Sequence, residues 1–343
     1  MKTGVTRWVK IVGIAVAGLF LVLGVLVLFL AQKDKPERIT YGMSFNTPYA
    51  IELGLDWRQT YDAILDDLGV RHLRLAAHWD MVQARNAEEY DYEALDYQIA
   101  RAEEVGATVV FAVGRRLPRW PECHVPAWAK ELSEVERQEA LIRYIETTVT
   151  RYKDSPAITV WQVENEPFLE VFAFEHCGKL DRAFLDREIA LVRSLDATRP
   201  ILVTDSGNLG TWTGAYSRGD MFGTSVYVHF WNPELGQFRT FLPPWFYRVK
   251  DNAMALLYGR KPSVLIELSA EPWLLEPIVQ VPIETQFTRM NLQKFEDIIT
   301  YAEGTHYEKQ YLWGAEWWYW LKQYDRPEMW DRGKRLFVNE TPE

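Results

Sequence analysis

Polar and apolar positions fall into blocks of two kinds along this chain. An uncharged apolar run fills Ile11 to Gln32 behind a basic start carrying Lys2, Arg7 and Lys10. As a helix its 22 residues span roughly 33 Å, enough to cross a bilayer. From Ile39 onward, short apolar runs of strand length alternate with longer segments of helical spacing. The strand-like runs are Ile39–Phe45, His72–Trp79, Thr108–Val113, Ile158–Val163, Ile201–Thr204, Met221–Phe230, Ser263–Ile266 and Gln310–Trp318. The helical spacing predicts helices over Trp57–Leu68, Tyr92–Val105, Glu131–Tyr152, Arg182–Leu195, Phe246–Tyr258, Phe287–Ala302 and Glu328–Phe337. Gly69 and Gly106 stop the first two. A turn-rich segment follows the fifth strand.

Strict alternation argues for a parallel sheet with helices outside. Eight such units in this length argue for a closed (β/α)8 TIM barrel rather than an open sheet. Gly42-Met43-Ser44, after which a dinucleotide fingerprint would stand, carries none. The expected layout is a cytoplasmic flank over 1–10, a transmembrane signal-anchor helix over 11–32, a polar linker over 33–38 and one barrel over 39–343.

The basic flank predicts a cytoplasmic N-terminus and an extracytoplasmic barrel, although Lys33, Lys35 and Arg38 on the far side weigh the other way. A cleaved signal peptide is the rival reading, but its apolar region is shorter and ends at small-x-small, where this chain has bulky Phe29 two before Ala31. An oxidising compartment permits Cys123 and Cys177 to pair. Both lie in consecutive βα loops, which sit side by side on one barrel face; two free thiols are the alternative. A net charge of −10 disfavours nucleic acid as a partner, and no obligate protein partner is inferred.

On this framework Asn165-Glu166-Pro167 follows the fourth strand directly, and Glu267 follows the seventh. Two carboxylic acids at the C-terminal ends of barrel strands converge on one pocket and suit a retaining glycosidase. The chain here resembles clan A of the glycoside hydrolases, which includes family 5 cellulases and family 42 β-galactosidases. The resemblance follows element order over about residues 39–340, with Asn165-Glu166 its most specific motif. It implies that Glu166 is the general acid/base, Asn165 the ligand of the sugar 2-hydroxyl and Glu267 the nucleophile. It further implies Arg74 beside the nucleophile, Tyr227 or His229 hydrogen-bonded to it, and Trp317 or Trp318 as the floor of the sugar site.

Glu271, four residues beyond Glu267, is the alternative nucleophile. Glu164 shares the strand parity of Glu166 and is expected one layer deeper, as a buried partner of Arg74. The 15 Trp and 17 Tyr matter because several fall after strands, at Trp79, Trp120, Trp231, Trp273, Trp317, Trp318 and Trp320, where flat rings suit the C–H faces of sugars. Arg115, Arg116 and Arg119 after the third strand could meet a carboxylate or phosphate on an acidic glycan, although such residues more often pair with loop acids. The sequence offers no metal spacing, no Gly-x-Ser-x-Gly elbow and no cofactor motif. The expected function is retaining hydrolysis of a poly- or oligosaccharide. A transglycosylase using the same site, or a non-catalytic surface glycan-binding barrel, stands as the alternative.

Overall fold

The computed structural model describes residues 2–119, 122–169 and 177–337. Helix α1 (Lys2–Leu30) projects from the globular part, apolar from Ile11 to Leu30 and exposed from Ile11 to Phe29, with Leu30 buried at the junction. The rest is a closed barrel. Its parallel strands are β1 (Thr40–Ser44), β2 (His72–Ala76), β3 (Thr108–Val113), β4 (Ile158–Val163), β5 (Ile201–Asp205), β6 (Met221–Val226), β9 (Ser263–Ser269) and β10 (Lys309–Trp313). β10 closes the ring on β1, with Thr40 opposite Lys309 and Met43 opposite Leu312. A two-stranded antiparallel hairpin, β7 (His229–Asn232) with β8 (Gly236–Arg239), interrupts the chain between β6 and β9.

Alternation along the strands builds two apolar layers. Val110, Val160, Leu202, Val264, Ile266 and Tyr311 pack together inside the barrel. Their neighbours Phe111, Trp161, Val203 and Leu265 face the helices. Because every barrel strand is covered on both faces, it reads as a nearly continuous apolar run. Helix starts are set locally. Asp56 caps α3 (Trp57–Asp66), which follows the short α2 (Thr47–Glu52) and precedes α4 (Trp79–Val82) and α5 (Glu93–Glu104); Asp181 caps α8 (Arg182–Leu195), which precedes the short α9 (Thr213–Tyr216). Ser133 and Glu136 form a reciprocal capping box on α7 (Glu134–Tyr152). That box is why the helix begins at Glu134 rather than Glu131; Ala127–Lys130 is a separate turn, α6.

Three further boundaries differ from the sequence pattern. β6 ends at Val226, and the remaining aromatic run forms the hairpin. β10 ends at Trp313; Gly314, at φ +121°, turns the chain into α13 (Ala315–Lys322), which carries Trp317, Trp318 and Trp320. Short aromatic runs fit a buried helix as well as a strand, and only the glycine marks the change. Finally, Phe287–Ala302 is divided between α11 (Ile283–Arg289) and α12 (Leu292–Glu303), the latter capped by Asn291.

Candidate active site

Arg74 lies at the centre of the polar cluster inside the barrel. It is inward by alternation between Leu73 and Leu75 and almost wholly buried. Its guanidinium donates to Glu267 Oε1 at 2.7 Å, Asn165 Oδ1 at 2.7 Å, Gln162 Oε1 at 2.9 Å and the Ile266 carbonyl at 3.4 Å. One side chain on β2 thus joins residues from β4 and β9. A planar fork of donors can do this where a point-like ammonium cannot.

A bulge on β9 brings Glu267 to Arg74. Pairing with β6 passes from Thr224 opposite Leu265 to Ser225 opposite Glu267, leaving Ile266 as an extra residue. Strict alternation would send Glu267 outward after Ile266; the bulge turns it inward. Its other oxygen accepts from Tyr227 Oη at 3.2 Å. Burial, followed by the Glu267 charge, holds the Tyr227 phenol well above its usual pKa, so it stays a donor. The phenol is further fixed by its backbone, which exchanges hydrogen bonds with the Asn208 side chain at 3.2 Å.

Asn165-Glu166 sits just beyond β4 on strained backbone. Glu164 and Glu166 have φ +58° and +43°, a region that side-chain-bearing residues rarely occupy. The Asn165 amide nitrogen donates to the Arg116 carbonyl at 2.6 Å and the Glu166 amide to Thr204 Oγ1 at 2.8 Å, which hold the turn in place. Asn165 Oδ1 faces Arg74, while its Nδ2 is buried without a hydrogen-bond partner, as is Glu166 Oε1. Burial first, then the Glu267 and Glu122 carboxylates, push the Glu166 carboxyl well above the ordinary range. The cluster therefore sets a carboxyl of raised pKa beside one bonded by Arg74 and Tyr227, with one amide donor free. Among the described residues no group of His, Cys, Asp and Glu is arranged to hold a metal ion.

Other side chains expected at the site stand elsewhere. His229 pairs with Asp297 at 3.0 Å, out on the hairpin, so of the two sixth-strand residues only Tyr227 meets Glu267. Trp317 and Trp318 are fully enclosed. Their indole N–H groups bond Gln286 Oε1 at 2.6 Å and the Ala270 carbonyl at 2.9 Å, so they present no face to a sugar. Trp313, at the end of β10 and 6.3 Å from the Tyr227 ring, is the aromatic that reaches the cluster from that side, with Trp273 5.5 Å from the same ring. Trp120 lies outside the described residues.

Glu164 is not the partner of Arg74. The left-handed turn directs it to the amides of Arg115 and Arg116, at 2.9 and 2.6 Å, against Glu188 of α8. Glu271 is bound to Arg119 at 2.7 Å. Arg115 and Arg116 pair with Glu134 and Glu122, each at 2.8 Å. All three arginines after β3 are thus matched by carboxylates, which removes the reason to expect an acidic glycan. Cys123 and Cys177 are bridged, with Cα atoms 5.4 Å apart, tying the loop that carries Glu122 to the one after Glu166. Gln162, Thr204 and Glu122 also shape the cluster but did not stand out in the sequence. Gln162 carried the one usable signal, an inward polar residue in an otherwise apolar strand.

Comparison with known proteins finds glycoside hydrolases. Residues 97–235 match the family model of the glycosyl hydrolases family 2 TIM barrel domain. Among curated proteins, a probable mannan endo-1,4-beta-mannosidase C of Aspergillus terreus is 29% identical over 159 residues, 37% of this chain and 36% of that protein. A mannan endo-1,4-beta-mannosidase A of Podospora anserina is 27% identical over 200 residues, 52% and 51% of the two chains. The chain thus spans between about a third and a half of the length of these relatives. Among solved structures, a GH5_18 protein of Bifidobacterium longum, in complex with Manb1-4GlcNAc, shares the fold at TM-score 0.55 and 13% identity, over 80% of this chain and 68% of that one. A beta-galactosidase of Rahnella sp. R3 does so at TM-score 0.56 and 12% identity, over 83% and 51%. The resemblance to clan A glycoside hydrolases holds.

Proposed function

We propose that this chain is a membrane-anchored glycoside hydrolase that works with retention, cleaving O-glycosidic bonds of a poly- or oligosaccharide. The observation that carries the reading is the Arg74 fork, which binds Glu267 and Asn165 together beside Glu166, whose carboxyl burial pushes well above the ordinary range. In this reading Glu267 attacks the anomeric carbon while Glu166 protonates the departing oxygen, giving a glycosyl-enzyme. Forming that ester removes the charge of Glu267, one of the causes that keep Glu166 protonated. Glu166 then loses its proton more readily and activates the water that completes the second displacement. Asn165 Nδ2, buried and unpartnered, meets the sugar 2-hydroxyl, so a donor that is costly in the free protein is satisfied as substrate binds. Trp313 replaces Trp317 and Trp318 as the aromatic beneath the sugar.

The mannan-acting relatives make a β-1,4-linked mannan the first substrate to test. Residues 11–32 serve as the membrane anchor, 1–10 as the cytoplasmic flank, 33–38 as the connection and 39–343 as the extracytoplasmic barrel; no cofactor takes part. The decisive experiment is trapping with a 2-deoxy-2-fluoro-β-mannosyl fluoride and peptide mass analysis. The expected adduct sits on Glu267, is lost in Glu267→Gln, and accumulates in Glu166→Ala until azide releases it. An adduct on Glu271, or unchanged turnover in Glu267→Gln, would overturn the assignment.

A further inference from the structure

The last turn of α1 does not lead into a free tether. Asn252, on α10 (Trp245–Tyr258), donates to the carbonyls of Leu30 and Gln32, each at 2.8 Å. Lys33 is held three ways. Its ammonium pairs with Asp251 at 2.9 Å and lies 4.1 Å from the centre of the Tyr307 ring, while its carbonyl stands 2.7 Å from His306 Nδ1. These contacts fix which end of the barrel the anchor meets. Ser263, bonded to Asp251 at 2.7 Å, is the first residue of β9. His306 and Tyr307 stand in the turn that enters β10. Both belong to the N-terminal ends of the strands, opposite the ends that bear Glu166 and Glu267.

The face of α10 that receives α1 is apolar on either side of the junction. Trp245, Val249, Asn252 and Leu256 follow at intervals of four, three and four residues, so they share one face. Trp245, Leu256, Leu257 and Tyr258 are all exposed, the two leucines by about two thirds. Any bilayer surrounding α1 ends where this stripe begins. Trp245, at one end of it, is of a residue type that settles at a membrane–water boundary. The exposed charges nearby are of both signs: Lys35, Arg38, Arg260 and Lys309 stand beside Asp34, Glu37 and Glu308.

We infer that the outer face of α10 is seated on the bilayer surface, so that the barrel rests on its N-terminal rim and its carboxylate-bearing rim opens away from the lipid. The occupant of the stripe is the boundary between headgroups and acyl chains. With local charges of both signs and nearly equal number, the contact is apolar and holds on zwitterionic lipid at high salt. The inference rests on α1 crossing a membrane, as proposed above.

The test uses the full chain reconstituted in phosphatidylcholine vesicles, with an environment-sensitive NBD dye on single introduced cysteines and the native disulfide intact. Leu256→Cys and Trp245→Cys probe the stripe, Leu275→Cys probes the exposed loop beyond the C-terminal end of β9, and Leu21→Cys probes the anchor. Near-ultraviolet circular dichroism checks that each variant is folded. Lipid carrying a shallow doxyl quencher should lower emission about twofold at 256 and 245, the depth expected of an interfacial helix, and leave 275 unchanged. Quenching at 21 with none at 256 and 245 overturns the seating while leaving the anchor intact. Quenching at 275 overturns the orientation. No quenching at 21 by a deep quencher removes the anchor itself, and the inference with it.

Discussion

Arg74 and Glu267 are coupled tightly enough for the coupling to be measured as stability. Truncating Arg74 to Met leaves the Glu267 carboxylate buried with Tyr227 as its only remaining side-chain donor among the described residues, and leaves Gln162 Oε1 without the bond it now accepts. Breaking a buried pair by removing one partner costs about 3–5 kcal/mol. Glu267→Gln costs less, about 1–2 kcal/mol, because Arg74 keeps Asn165, Gln162 and the Ile266 carbonyl, and an amide oxygen still accepts its remaining donor. In the double variant no buried charge is stranded. Its cost should therefore fall below the sum of the single costs by about 2 kcal/mol. Guanidinium unfolding of the full chain in detergent, followed by tryptophan fluorescence, reads all four corners of the cycle. Additivity within about 0.5 kcal/mol would refute the claim that Arg74 is the counter-charge of Glu267. Arg74→Lys should restore part of the stability but little of the turnover, since one ammonium cannot hold Glu267 and Asn165 together.

In the proposed mechanism Glu166 acts protonated, so turnover should fall as pH rises through its elevated pKa, and that alkaline limb should vanish in Glu166→Ala on an aryl glycoside whose leaving group needs no acid. Glu316, buried and accepting the Asn46 amide at 2.6 Å, is pushed up to about 7 chiefly by burial. A raised carboxyl pKa stabilises the fold fully below the unfolded value near 4.5, and that contribution is lost as pH climbs through about 7. Glu316→Gln, which keeps the acceptor, should flatten the melting temperature between pH 5 and 8, about; an unchanged slope would count against the assignment. Replacing both bridged cysteines by Ser opens a link of sequence separation 54, for which loop-closure entropy sets a cost of about 4 kcal/mol. The melting temperature should fall, and turnover with it, because the bridge adjoins Glu122.

The alternation of apolar runs made the barrel legible, and β3 and β4 match their expected limits because each is a β-branched run between clear helix stops. The position of Glu166 followed from counting strands. What escaped was local geometry that hydrophobic pattern does not encode. The one-residue bulge at Ile266 decides that Glu267 rather than a neighbour faces Arg74. The left-handed turn at Glu164 sends that carboxylate out of the barrel against strand parity. Trp317 and Trp318 read as strand because an aromatic run has no period of its own, and Gly314 was too slight a signal to end it. His229 was misplaced for the same reason: the run from Met221 continues into a hairpin whose partner strand is formed by Gly236–Arg239.

The positive φ of Glu166 has an implication for how this protein would drift. A residue with a Cβ held in that region costs about 1 kcal/mol or more, and glycine is relieved of it. Glu166→Gly also deletes a carboxyl that is buried with one unpartnered oxygen. Both effects favour the variant, so a library screened for thermal robustness alone should enrich glycine here. The barrel would grow sturdier as it fell silent, and only a screen that demands turnover would hold the acid in its uncomfortable seat.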